Sequence, residues 1–245
     1  MPGPVNRIER AAVDGWWHGL GARLCPPRCL ACGEAAPPGT DLCPACTAAL
    51  PWNVPACPRC AVPLPGASSP APSCGACQRR PPPLDATHAA FAYRTPLDRL
   101  LPRFKFHRDL AAGRLLADAM ASCFVALPRP DALLPVPLHP GRLRRRGYDQ
   151  ALELARPLAR TLRLPLLDGA LVRTRATAPQ SELDAASRRR NLREAFTVRD
   201  GTRLPAHVVL VDDVMTTGAT LHAAAVTLRR AGVTRVEAWV CARVP

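Results

Sequence analysis

VVLVDDVMTTGAT, residues 208–220, decides the architecture of this chain. Four consecutive aliphatic residues, Val208, Val209, Leu210 and Val211, describe a strand buried on both faces, and such strands belong to parallel sheets. Asp212 and Asp213 follow at its carboxyl end, the edge of an open α/β sheet at which ligands bind. Residues 214–218 then read as a hydroxyl-rich loop ended by the permissive Gly218, and a helix is predicted from about Ala219. Val214, Met215, Thr216, Thr217, Gly218, Ala219 and Thr220 therefore gather at the amino end of a helix, where backbone N–H groups and the helix dipole favour an anion. Two carboxylates directly before such a nest would repel a plain phosphate. They suit a ligand that carries vicinal hydroxyls beside its phosphate, as a ribose 5-phosphate does. Helix capping alone accounts for one Asp and not for the Thr-Thr-Gly that follows.

Working outward, strands and helices alternate in the manner of an α/β sheet. Strands are expected over 86–93, 132–136, 195–198 and 208–211, with a last strand over 234–242 closing the sheet. Helices are expected over 96–106, where Leu97, Leu100, Leu101 and Phe104 share one face, and over 110–127, 150–162 and 219–231. Upstream, QRRPPPLDATH (residues 78–88) holds three consecutive prolines, which resist helix and strand alike, and a domain boundary is expected there.

Before that boundary the chain is dominated by cysteine. Eight of its 11 cysteines form four Cys-x-x-Cys pairs: Cys29 with Cys32, Cys43 with Cys46, Cys57 with Cys60, and Cys74 with Cys77. Two such pairs make one tetrahedral all-cysteine zinc site, because each knuckle presents both sulfurs to one ion. Their order implies two zinc ribbons in series, each with room for a short hairpin. The first 17 residues lack the apolar core of a secretory signal, so a cytoplasmic location is expected, where thiols stay reduced and bind metal in preference to forming disulfides. A structural module stabilised by its metal is the plainer account, and DNA recognition is the other. Cys25 precedes the first pair and can compete as a ligand, whereas Cys123 and Cys241 lie in apolar stretches and read as small buried hydrophobes. The expected organisation is a helical segment over 1–24, a double zinc ribbon over 25–80 and an α/β domain over 85–245.

Charge separates these parts. The formal net charge is +14. Residues 1–84 hold seven Arg against four acidic residues, leaving 26 basic and 15 acidic groups beyond. Each four-thiolate zinc site adds about −2, so the positive field belongs to the larger part. Arg142, Arg144, Arg145 and Arg146 form one cluster, and Arg173, Arg175, Arg188, Arg189, Arg190 and Arg193 a second. Such runs suit a solvated face or a surface for polyphosphate or nucleic acid. No apolar run approaches the ~20 residues of a membrane-spanning helix, and a protein without a membrane span is expected.

The segment 208–220 resembles the phosphoribosyl pyrophosphate motif of type I phosphoribosyltransferases. LLPVPLHPGRLRRRGYDQALELA (residues 133–155), the stretch 180–196 and the cysteine pairs together resemble the competence-associated ComF family from Cys29 onward. The resemblance implies a mainly parallel sheet flanked by helices, preceded by a small double zinc ribbon. It implies that Asp212 and Asp213 are the catalytic acids and that residues 134–138, including Pro135 and Val136, form the pyrophosphate-side loop. Arg146 and Gly147 would also bind substrate, and residues 173–191, with Arg173, Gln180 and Arg189, would close as a hood. Family members usually read Arg-Gly-Phe-Asn-Gln where this chain has Arg146, Gly147, Tyr148, Asp149 and Gln150, so a contact needing an amide donor at Asp149 is not expected, although Asp can still cap the next helix. Lys105, the sole lysine among 32 arginines, falls on a lysine shared by the family, and a solvent-facing helix position is the plainer account of it.

Transfer at the anomeric carbon passes through an oxocarbenium-like state while pyrophosphate departs, so arginines and Mg²⁺ are expected to meet the departing charge. The resemblance implies two structural Zn²⁺, Mg²⁺ arriving with substrate, and phosphoribosyl pyrophosphate as ligand. Two classes stay open: a phosphoribosyltransferase acting on an unidentified nitrogen acceptor, in a role linked to DNA uptake, and a non-catalytic sensor of the same ligand that contacts single-stranded DNA or DNA-uptake proteins.

Overall fold

A computed structural model describes residues 27–66, 72–174 and 195–245 of the chain. The chain divides into two compact units, residues 1–49 and 50–245. The division falls between the two cysteine ribbons and not in the proline-rich stretch near residue 81, so the second ribbon is built into the larger unit. The segment expected to be helical over 1–24, and Cys25 with it, lies outside the described residues.

In the smaller unit, an isolated antiparallel bridge joins Arg28 to Ala35 and a short helix α1 (Pro44–Ala48) follows Cys43. The larger unit opens with the bridge Ala56 to Pro63 and helix α2 (Gly75–Arg79). Strand β1 (Thr87–Ala92), helix α3 (Leu97–Phe106), helix α4 (Leu110–Phe124) and strand β2 (Ala132–Pro135) come next. Helices α5 (Pro140–Arg146) and α6 (Gln150–Leu162) lead to strands β3 (Leu171–Arg173) and β4 (Phe196–Val198). Strand β5 (His207–Met215), helix α7 (Ala219–Arg230) and strand β6 (Arg235–Arg243) complete the unit.

Four strands form one parallel sheet in the order β1-β6-β5-β2, while β3 and β4 pair antiparallel as a separate hairpin. The aliphatic run of β5 explains the layering. Alternate side chains leave opposite faces of a strand, so Val209 and Val211 enter one core with Leu101, Phe104, Leu116 and Leu154. Val208 and Leu210 enter the other core with Leu221, Leu228, Leu171 and Phe196. Helices α3, α4 and α6 thus cover one face, and α7 with the β3-β4 hairpin covers the other. Truncating such a buried leucine to alanine costs about 2–5 kcal/mol.

Three details depart from the expectations of the sequence. The final strand does not close the sheet at an edge but inserts between β1 and β5. Strand β5 runs on to Met215, because β6 accompanies it through the pair Met215 with Arg243. Helix α5 and strand β3 were not foreseen: the Arg-rich α5 carries no apolar periodicity, and β3 is only three residues long. None of the helices among the described residues is long and apolar enough to cross a membrane.

Candidate functional site

The site begins where β2 leaves β5. Pairing between these strands ends at Pro135 with Val211, followed by one last bond from Val136 N–H to the Val211 carbonyl at 2.9 Å. From Asp212 onward β5 keeps β6 on one side only, so the two carboxylates stand at the point where the strands fork. Pro135 and Val136 are buried at this fork.

Asp212 Oδ1 accepts the Asp213 N–H at 2.8 Å, and Asp213 Oδ1 accepts the Val214 N–H at 2.5 Å. Lys105 Nζ reaches Asp213 Oδ1 at 3.1 Å from the last turn of α3. The sole lysine is therefore a member of the site and not a solvent-facing residue. Burial, and next the Asp213 carboxylate, push the Asp212 carboxyl up to about 8, against the pull of the Asp213 amide and Lys105. Arg173 at the end of β3 is buried, with its guanidinium 5.4 Å from the Phe196 ring centroid. Burial and the Arg142 guanidinium lower its pKa while Asp212 raises it, so α5 and the β3-β4 hairpin bring basic groups toward the acid pair.

Beyond Met215 the loop turns through exposed Thr216 and Thr217 into α7. Gly218, with φ 77°, is the N-cap of that helix in the left-handed region where a side chain is strained. A Cβ there would also lie 2.5 Å from Met215 Cε and 2.9 Å from His222 Nε2. Thr217 Oγ1 accepts the Ala219 N–H at 3.4 Å, and Ala219 and Thr220 are half-buried in the first turn. Val214 is half-buried and Met215 buried below the loop.

On the opposite bank, Asp149 N-caps α6 through Leu152 N–H at 3.2 Å, and its other oxygen accepts the Leu138 N–H at 2.9 Å. The capping role expected of Asp149 is joined by one that the sequence did not disclose: it anchors the loop that continues from β2. His139 caps α5 through Gly141 N–H at 3.1 Å, and α5 ends at Gly147 in the left-handed region. Arg146 binds Gln150 Oε1 at 2.9 Å and lies 5.3 Å from the Phe106 ring centroid. Gln180 and Arg189 lie outside the described residues. Tyr148, packed at 5.8 Å against Phe104, and Phe196 are further neighbours not among the expected site residues, and Arg142, expected only as part of a basic cluster, acts on Arg173. The i, i+4 spacing of Arg142 and Arg146 was the available signal for a basic helix face.

The cysteines gather as expected into two tetrads: Cys29, Cys32, Cys43 and Cys46, then Cys57, Cys60, Cys74 and Cys77, each able to hold one metal ion. Tetrahedral zinc with bonds of about 2.3 Å sets sulfurs about 3.8 Å apart. Cys32 Sγ and Cys43 Sγ are 3.8 Å apart, and Cys60 Sγ and Cys74 Sγ 3.7 Å. Burial opposes ionisation of Cys29, but amides of Cys43, Cys32 and Ala31 outweigh it and bring the thiol down to about 6. Among the described residues, these tetrads are the only groups of three or more side chains arranged to ligate a metal.

Comparison with known proteins adds names to this geometry. Residues 21–78 match the double zinc ribbon domain and residues 148–245 the phosphoribosyl transferase domain. Competence protein F of Haemophilus influenzae is 38% identical over 178 residues, covering 69% of this chain and 78% of that protein. DNA utilization protein YhgH of Salmonella typhi is 39% identical over 179 residues, covering 69% and 77%. Competence protein ComFC of Bacillus subtilis is 29% identical over 58% of this chain and 57% of its own length. Among solved structures, adenine phosphoribosyl transferase from Trypanosoma brucei, in complex with AMP, pyrophosphate and ribose-5-phosphate, is 19% identical with a TM-score of 0.37, over 56% of this chain and 55% of that one.

Proposed function

This chain belongs to the ComF family, and we propose that its larger unit binds phosphoribosyl pyrophosphate with Mg²⁺ and transfers the phosphoribosyl group to a nitrogen acceptor. The observation that carries this reading is the fork at β2 and β5. It sets an acid pair beside a glycine-ended helix start, with Lys105 bonded to Asp213 and the Arg173 charge felt by Asp212. Asp212 and Asp213 accept hydrogen bonds from the ribose 2- and 3-hydroxyls, while the amides and hydroxyls of residues 216–220 hold the 5-phosphate. Residues 135–138, fixed by Asp149, and the arginines of α5 and β3 face the pyrophosphate.

In the reaction the bond from the anomeric carbon to pyrophosphate breaks and a bond to nitrogen forms. Positive charge gathers on the ribose and negative charge on the leaving group. Arg173, already partly desolvated, meets that negative charge at little cost of reorganisation. Mg²⁺ would be held mainly by substrate oxygens and water and would neutralise the pyrophosphate. The two tetrads hold structural Zn²⁺. The names of the relatives support a role in competence or DNA utilisation.

Calorimetry with phosphoribosyl pyrophosphate and Mg²⁺ tests the binding, and Asp212→Ala with Asp213→Ala should abolish it. Binding that survives the double substitution overturns the site. A second reading, a non-catalytic sensor that contacts single-stranded DNA, is favoured by exposed Phe106 beneath Arg146 on a basic helix, since bases stack on such platforms. Pyrophosphate release with a panel of nitrogen acceptors separates the two; binding without turnover supports the sensor.

A further inference from the structure

The second cysteine tetrad is bonded to the rest of the larger unit by a run of consecutive contacts. Four consecutive carbonyls of its knuckle each accept a donor from outside the knuckle. Thr87 N–H takes Pro58 O and Thr87 Oγ1 takes Arg59 O, both at 2.9 Å. Arg243 Nε takes Cys60 O at 2.9 Å, and Asn53 Nδ2 takes Ala61 O at 2.9 Å. Thr87 and Asn53 are buried. Such complete satisfaction holds the turn in one position, because moving it would break four hydrogen bonds at once, among them the bond to the carbonyl of buried Ala61.

Arg243 also faces the other way. It is the last residue of β6, in register with Met215, the last residue of β5. Its Nη1 donates to the Met215 carbonyl at 3.3 Å and to the Val244 carbonyl, and Val244 N–H reaches the same Met215 carbonyl at 3.0 Å. Met215 in turn fills the hollow beneath Gly218, with its Cε where a Cβ on that glycine would collide. One half-buried guanidinium therefore joins a carbonyl of the metal ligand Cys60 to the residue from which the phosphate loop departs.

We infer that Arg243 is a positioning residue that links the second zinc knuckle to the loop of residues 216–218, so that metal at Cys57, Cys60, Cys74 and Cys77 and ligand at that loop stabilise each other. The inference rests on the reading of residues 216–220 as a phosphate site. A planar guanidinium holds two diverging acceptors at once, which a lysine ammonium on a flexible stem does less well, and bonds from a charged donor are stronger than neutral ones. With the zinc in place, the knuckle is rigid and Arg243 fixes Met215 O. When the knuckle opens, the guanidinium loses one anchor and the start of the loop loosens. Coupling of this kind is reciprocal: ligand held at the loop slows opening of the knuckle.

The test uses the full zinc-loaded chain as wild type, Arg243→Met and Arg243→Lys, each shown to hold two zinc ions per chain. Hydrogen exchange without ligand should rise in Arg243→Met both at residues 57–62 and at residues 215–219. With phosphoribosyl pyrophosphate and Mg²⁺, wild type should show slower exchange at 57–62 and slower alkylation of Cys60 and Cys74. Arg243→Met should bind that ligand about tenfold more weakly, within the usual range for coupled sites, and lose the ligand-dependent protection of the knuckle. Arg243→Lys should fall between the two. Faster exchange at the knuckle alone, or ligand binding that leaves residues 57–62 of wild type unchanged, overturns the inference. If wild type binds no ligand, the site reading has failed and the exchange measurement without ligand decides the link by itself. If Arg243→Met does not fold, Arg243→Lys and the wild-type protection carry the test.

Discussion

Lys105 Nζ stands 3.1 Å from Asp213 Oδ1, joining the end of helix α3 to the acid pair on β5. The lysine partly offsets the repulsion between two adjacent carboxylates. Its removal should make Asp212 harder to ionise, since a nearby cation favours the charged form. Lys105→Met should therefore shift the pH at which binding of phosphoribosyl pyrophosphate sets in upward, by calorimetry across pH 6–9. A midpoint that stays at the wild-type pH would show that the ion pair does not act on the site.

Asp212 gives the unliganded protein a distinct pH dependence. Burial pushes its folded pKa up to about 8, well above the ordinary carboxyl value of about 4, so the folded state holds this proton more tightly than the unfolded chain does. The stability it contributes is present below about pH 4 and is lost as pH rises toward 8. Asp212→Asn should match wild type in melting temperature near pH 3.5 and exceed it at pH 8. Equal melting temperatures at both pH values would be incompatible with a perturbed carboxyl.

Gly218 and Gly201 separate strain from collision. Both have positive φ, 77° and 75°, but a Cβ at Gly201 meets nothing within 4 Å whereas one at Gly218 strikes Met215 and His222. Gly201→Ala should cost only the backbone strain, about 1–2 kcal/mol, and leave ligand binding intact. Gly218→Ala should cost more in denaturant unfolding and weaken ligand binding at least tenfold. Comparable losses in the two variants would contradict the close packing beneath the loop.

Asp149 holds two elements with two oxygens, Leu152 N–H at the start of α6 and Leu138 N–H in the preceding loop. Loss of an N-cap alone costs about 1 kcal/mol. Asp149→Ala should cost about 2 kcal/mol, because a second, partly buried N–H is left unpaired, and hydrogen exchange at Leu138 should rise with it. A loss confined to α6 would leave the loop anchored by other means.

The tetrads predict a stepwise metal content. Elemental analysis should give two zinc ions per chain, falling to one in Cys29→Ser and to one in Cys60→Ser. Chelation should lower the melting temperature, since ligand-free ribbons lose the metal's contribution to folding. Well under two zinc ions in the wild type would refute the paired ribbons.

Much of this molecule was legible in local sequence because the responsible forces are local. The run Val208 to Val211 announced a strand buried on both faces, Leu97, Leu100, Leu101 and Phe104 announced the buried face of α3, and Cys-x-x-Cys spacing alone brings paired sulfurs to one ion. Asp212, Asp213 and the loop ending at Gly218 were readable for the same reason: their chemistry depends on order along the chain. What only the tertiary structure decided are relationships between residues distant in sequence. Lys105 meets Asp213 across 108 positions, and Arg243 meets Cys60 across 183. Asp149 gains Leu138 as well as its own helix, and β6 enters the middle of the sheet. No periodicity records such pairings, because they arise only when separate elements, each obeying its own local rule, are packed around a shared core.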